Sequence, residues 1–84
     1  MSTLTVEARA QKIWFDEYNM WILFTDSRQL SVPRAYFPRL HNATMEQLNK
    51  VEISGGGIGL HWDELDEDIH VPSLLLGQYA RHVV

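Results

Sequence analysis

The stretch Met20 to Thr25, MWILFT, constrains the fold more than any other part of the chain. It is apolar on both alternating faces and rich in aromatic and β-branched side chains, which marks a strand inside a sheet. Turn chemistry brackets it. Asp16-Glu17-Tyr18-Asn19 precedes it and Asp26-Ser27 follows, and Asp, Asn and Ser satisfy nearby backbone groups in tight turns. Upstream, Thr5 to Ala10 alternates small apolar with polar residues, the period of a strand. The phase slips at Lys12 before Ile13-Trp14-Phe15, which predicts a β-bulge. Downstream, Gln29-Leu30-Ser31-Val32 alternates again until Pro33, which has no N–H to give a ladder. Three strands joined by short turns predict an antiparallel meander.

The second half predicts helices around a fourth strand. Arg34 to Asn42 has no clean period and carries Pro38, so it reads as a loop with one helical turn. Thr44 with Gln47 three residues on has the form of a capping box. Met45, Leu48 and Val51 then fall on one face of the helix that follows. Gly55-Gly56-Gly57 interrupts regular structure as a flexible connector, and Ile58 to Trp62 has the length of a strand. Val71-Pro72 suits a helix start, giving a helix from Ser73 to about Arg81 that buries some of Leu74, Leu75, Leu76 and Tyr79. The expected fold is α+β: one antiparallel sheet of three to four strands with two helices on one face, a single domain over residues 1–84.

A chain of 84 residues buries only roughly 60–65% of its unfolded surface, so its core is thin. Without cysteine there are no disulfides to compensate, and stability rests on apolar content. Three each of Trp, Tyr and Phe supply much of it. The lack of cysteine, of a basic-then-apolar leader and of a long apolar run leads to the expectation of a cytoplasmic protein without a membrane contact. A formal charge of −4 argues against direct nucleic-acid binding, which needs a basic footprint.

Few residues suggest chemistry. The glycine run lacks the Lys-Ser/Thr of a phosphate loop. His41, His61, His70 and His82 match no zinc spacing, so no metal or other cofactor is expected. No nucleophile sits beside a base and an oxyanion donor, and no catalytic residue is assigned. The strongest local anomaly is Asp63-Glu64-Leu65-Asp66-Glu67-Asp68, which holds five of the eleven carboxylates. It reads as a solvated loop or as a binding surface, where carboxylates beside Trp62 offer Arg/Lys pairing around an aromatic anchor. Phe37-Pro38-Arg39-Leu40 reads as a recognition loop or as a lid. The lid is preferred, with Phe37 and Leu40 buried and Arg39 paired to the acidic run.

Val32-Pro33, Phe37-Pro38-Arg39-Leu40, Ala43-Thr44, His61-Trp62 and Leu65-Asp66-Glu67-Asp68-Ile69, taken in order, resemble the bacterial family known as domain of unknown function 2442. The resemblance runs from about Ile13 to Gly77. Three positions depart from the family pattern: Ser27 for glycine, Arg34 for leucine and Asp63 for proline. The first strains a turn, and the last lengthens the acidic run. The resemblance implies a small α+β domain, no established enzyme activity, and a regulatory or antitoxin-like binding role. Size and acidity also resemble phage-encoded inhibitors such as anti-CRISPR proteins, which would act in the host cytoplasm.

The expected function is therefore that of a non-enzymatic regulator or stoichiometric inhibitor that blocks the surface of a protein partner, one with a basic nucleic-acid-binding surface. The expected contact residues are Phe37, Arg39, Trp62, Asp63, Glu64, Asp66, Glu67 and Asp68. The alternative is a dimerisation or sensory module of a transcription regulator, which predicts a homodimer through a strand edge or the last helix.

Overall fold

The computed structural model describes residues 9–77. The N-terminal half forms the expected meander, with β1 (Ala10–Phe15), β2 (Asn19–Phe24) and β3 (Gln29–Pro33) in the order β1-β2-β3. The register shifts between Ala10 and Lys12, which places the bulge where the alternation slips. The part of the first predicted strand before Arg9 lies outside the described residues. Ser27 closes the β2–β3 turn at φ +77, a left-handed backbone that favours the glycine of the family pattern.

β2 is central in order but covered on one face only. Met20, Ile22 and Phe24 are buried, while Trp21 and Leu23 on the opposite face are partly exposed. Apolar content on both faces therefore does not mean cover on both faces.

A helical bridge follows: a 3-10 turn at Arg34–Tyr36, then α1 (Pro38–His41) and α2 (Met45–Leu48). The capping box is present, with Gln47 N donating to Thr44 Oγ1 at 3.1 Å and Thr44 N donating to Gln47 Oε1 at 2.9 Å. Yet α2 is a single turn. Leu48 is buried and Val51 half-buried, whereas Met45 is exposed, so the predicted apolar face is only partly used.

The expectation of one sheet with two helices on one face is corrected here. The described residues form a second three-stranded antiparallel sheet, with β4 (Glu52–Ser54), β5 (Gly59–Trp62) and β6 (Glu67–His70) in the order β4-β5-β6. β6 leads into α3 (Val71–Leu75), which starts at Val71-Pro72 as predicted. Leu76 caps it, and Gly77 follows at φ +74, the left-handed conformation that commonly ends a helix. Leu74 is buried, while Leu75 and Leu76 are exposed. Tyr79 and Arg81 lie outside the described residues.

Both sheets and all three helices feed one core. Met20, Ile22, Phe24 and Val32 come from the first sheet and Leu60, Trp62 and Ile69 from the second. Leu40, Leu48, Val71 and Leu74 fill the space from α1, α2 and α3. The glycine run is the β4–β5 turn and not a flexible connector. Gly57 N donates to Ser54 O at 3.0 Å, and Ala10 N donates to Gly57 O at 2.8 Å, joining the two sheets. A Cβ at Gly57 would lie 2.7 Å from the Ala10 carbonyl oxygen, and φ is +107, so only glycine fits.

Candidate functional site

The acidic run is a β-hairpin tip. β5 alternates, with Leu60 and Trp62 inward and Gly59 and His61 outward, and β6 pairs Trp62 with Glu67, His61 with Asp68 and Leu60 with Ile69. The turn between them is Asp63-Glu64-Leu65-Asp66, closed by Asp66 N donating to Asp63 O at 3.3 Å. Asp66 takes φ +53, which Asp tolerates better than most residues. Asp63, Glu64 and Asp66 thus sit in the turn, while Glu67 and Asp68 belong to a strand with opposite orientations.

Trp62 is corrected from surface anchor to core residue. It is 1% exposed, its indole N–H donates to the Leu48 carbonyl at 3.0 Å, and its ring meets Phe15 edge-on at 6.3 Å. The inward phase shared with Leu60 dictates this placement.

Phe37 and the first three residues of α1 form the predicted lid. Leu40 is buried, Phe37 is half-buried against the core, and Arg39 reaches the acidic run. Its guanidinium donates to the Asp66 carbonyl and lies 3.6 Å from Glu67. Phe37 is therefore mainly a packing residue. Arg39 organises the hairpin tip from outside.

The acids differ sharply in setting. The side chains of Asp63 and Asp68 are 95% and 76% exposed, whereas that of Glu67 is 19% exposed. Burial raises the Glu67 carboxyl above its ordinary value, with Asp68 and Asp66 adding to the shift and Arg39 opposing it. Glu64 lies 3.5 Å from Lys50 Nζ and accepts from Gln47 Nε2 at 3.4 Å. His61 stands between two carboxylates, 2.6 Å from Asp68 through Nδ1 and 3.5 Å from Asp63 through Nε2. The hydrogen bond to Asp68 is the main reason its pKa is raised; desolvation opposes it, and Asp63 adds to it. A cleft of about 480 Å³ beside the tip is lined by Gln47, Lys50, Glu52, Trp62, Asp63 and Glu64.

The carboxylates of the tip can pair with cations. Among the described residues no group of three His, Asp or Glu side chains is arranged to hold a metal ion. His70 Nδ1 and Ser73 Oγ are 2.9 Å apart, but they are three residues apart at the start of α3, which makes this a local helix-start contact. No described helix is long and apolar enough to cross a membrane.

Sequence reasoning overlooked the role of Arg34. Its guanidinium donates to the carbonyls of Glu17 at 2.9 Å, Leu40 at 3.3 Å, and His41 and Ala43 at 3.4 Å. Its Nε is buried without a hydrogen-bond partner. The departure from leucine was the one available signal, since an arginine at an apolar position needs acceptors.

Fold and site together define a small α+β domain of two meanders around one core, with a charged hairpin tip tied to a helical bridge. The chain belongs to the family described as Protein of unknown function (DUF2442), which matches residues 10–80. It is similar to a crystal structure of a protein of unknown function from Rhodospirillum rubrum ATCC 11170, with TM-score 0.76 and 34% identity over 86% of this chain and 89% of that one. It is also similar to the solution structure of an uncharacterized protein from Chromobacterium violaceum, with TM-score 0.72 and 26% identity over 84% of this chain and 67% of that one. No curated protein gives a significant match.

Proposed function

We propose that the chain is a non-enzymatic regulator or stoichiometric inhibitor that presents the β5–β6 tip to a basic surface on a protein partner. One observation carries this reading: Asp63 and Asp68 hold highly exposed carboxylates on a hairpin whose base is fixed by buried Trp62. Arginine or lysine on the partner would meet these oxygens in charge-assisted hydrogen bonds. Attraction between the acidic tip and a basic surface would also speed encounter and set orientation. The contact residues are then Asp63, Glu64, Asp66 and Asp68, with Arg39 and Glu67 as supports. Trp62 and Phe37 leave the contact set.

The test begins with salt-dependent capture of a stoichiometric partner from a bacterial lysate, followed by titration of that purified partner. Charge reversal at Asp63, Glu64 and Asp68 together is expected to weaken binding at least ~10-fold, about 1.4 kcal/mol. An unchanged affinity in a variant that folds normally rejects the reading.

A further inference from the structure

The open face of the first sheet is a second surface, remote in sequence from the hairpin tip. Trp14 and Trp21 stack there across β1 and β2, with ring centroids 6.1 Å apart and planes within 6°. Leu23 extends this apolar row, and Lys12 holds its ammonium 5.8 Å from the centre of the Trp14 ring. The inner face of β2 is sealed, yet Trp14, Trp21 and Leu23 on the outer face remain partly exposed.

The charges on this face are ordered. Lys12 lies two residues before Trp14, and Asp16 lies two residues after it. Asp16 reaches the outer face, because its Oδ2 accepts from the Trp21 indole at 2.8 Å. Its Oδ1 accepts from the backbone N–H groups of Tyr18 and Asn19 at 2.9 and 2.7 Å. These bonds, led by the one from Trp21, hold its carboxyl below the ordinary value, so it stays charged. A cation on β1 and an anion just past its end thus stand two residues to either side of one tryptophan.

We propose that this face is the contact surface between two copies of the chain, with the two-fold axis lying between the sheets and crossing β1 at Trp14. A two-fold contact needs a surface that complements itself. Such an axis reverses β1 of the second copy over β1 of the first. It lays one Trp14–Trp21 pair on the other and brings each Lys12 over the partner's Asp16. Half-buried indoles gain cover while the charged ends pair, which selects this register over a parallel one that would oppose like charges. A second copy is favoured over a different partner because both halves of the charge pair are already on this face. The inference is independent of the reading of the hairpin tip.

Sedimentation velocity of the full chain from about 10 µM to about 1 mM tests it. A reversible monomer–dimer equilibrium is expected. Lys12→Glu, a substitution at an exposed side chain, should weaken it at least ~10-fold, since it opposes like charges twice over. Lys50→Glu, outside this face, should leave it unchanged. A chain that stays monomeric across the range overturns the proposal, as does a dimer that Lys12→Glu leaves intact or that both variants weaken equally.

Discussion

Replacing Trp62 by phenylalanine separates a core role from a surface role and gives a magnitude that follows from the structure. The side chain is 1% exposed, and its N–H holds the carbonyl of Leu48, the last residue of α2. A helix leaves its final carbonyls without partners inside the helix, so the indole is acting as a cap from another element. Phenylalanine keeps an aromatic ring against Phe15 but loses the donor. Leaving the buried Leu48 carbonyl unsatisfied costs about 1–3 kcal/mol. The smaller ring leaves a void worth about 1 kcal/mol more. Trp62→Phe should therefore lose ~2–4 kcal/mol from a domain whose whole stability is on the order of 4–13 kcal/mol. Urea unfolding followed by far-UV circular dichroism measures it, as a lower midpoint at unchanged slope. Trp14→Phe is the matched comparison, because half-exposed Trp14 should cost about 1 kcal/mol or less. A loss below about 1 kcal/mol at Trp62 would refute the core placement and return the residue to the surface.

Two further outcomes follow from the geometry. Gly57→Ala should cost at least ~2 kcal/mol, combining a disfavoured backbone with a Cβ pressed against Ala10. Gly56→Ala should cost less in the same thermal or urea measurement, because its Cβ meets only the end of the flexible Arg9 side chain and no backbone atom. His61 should make stability fall as pH rises. Its folded pKa is raised, so the folded state holds the proton more tightly than the unfolded chain. That stabilisation is fully present below about pH 6.5 and is lost as pH climbs through the folded value. His61→Asn should flatten this part of the profile, and an NMR titration placing the His61 pKa at or below its ordinary value would contradict the geometry.

The first sheet was legible because its strands alternate and its turns carry Asp, Asn and Ser. The bulge at Gln11, the strain at Ser27, the capping box at Thr44 and the lid at Phe37–Leu40 were legible for similar local reasons. The second sheet was not, because two of its strands have little periodic signal. β4 is three residues long with Ile53 exposed, and in β6 only Ile69 is buried, between polar neighbours. Its pairing is set by contacts made elsewhere: Gly57 against Ala10, and Val71 N donating to Ile58 O at 2.7 Å. The signal for the burial of Trp62 is its shared phase with Leu60, which the acidic run directly after it masks. Gly77 was an available stop signal for α3.

The two arginines explain how so short a helical bridge can position a site. Arg34 ties the carbonyls that end α1 to the β1–β2 turn through Glu17, and Arg39 ties the start of α1 to the β5–β6 turn through Asp66. Both reach backbone carbonyls, which keep their position whatever the pH. Had Arg39 been spent on the outermost carboxylates, the tip would be neutralised. Instead it contacts the Asp66 backbone and half-buried Glu67, leaving the Asp63 and Asp68 oxygens exposed. Among the described residues, His61 then becomes the group beside both exposed acids whose charge changes near neutral pH. As it loses its proton the tip grows more negative while the arginine ties persist, so a basic partner would bind a surface already held in place. Less conformational entropy is then lost on binding than for a loose acidic loop.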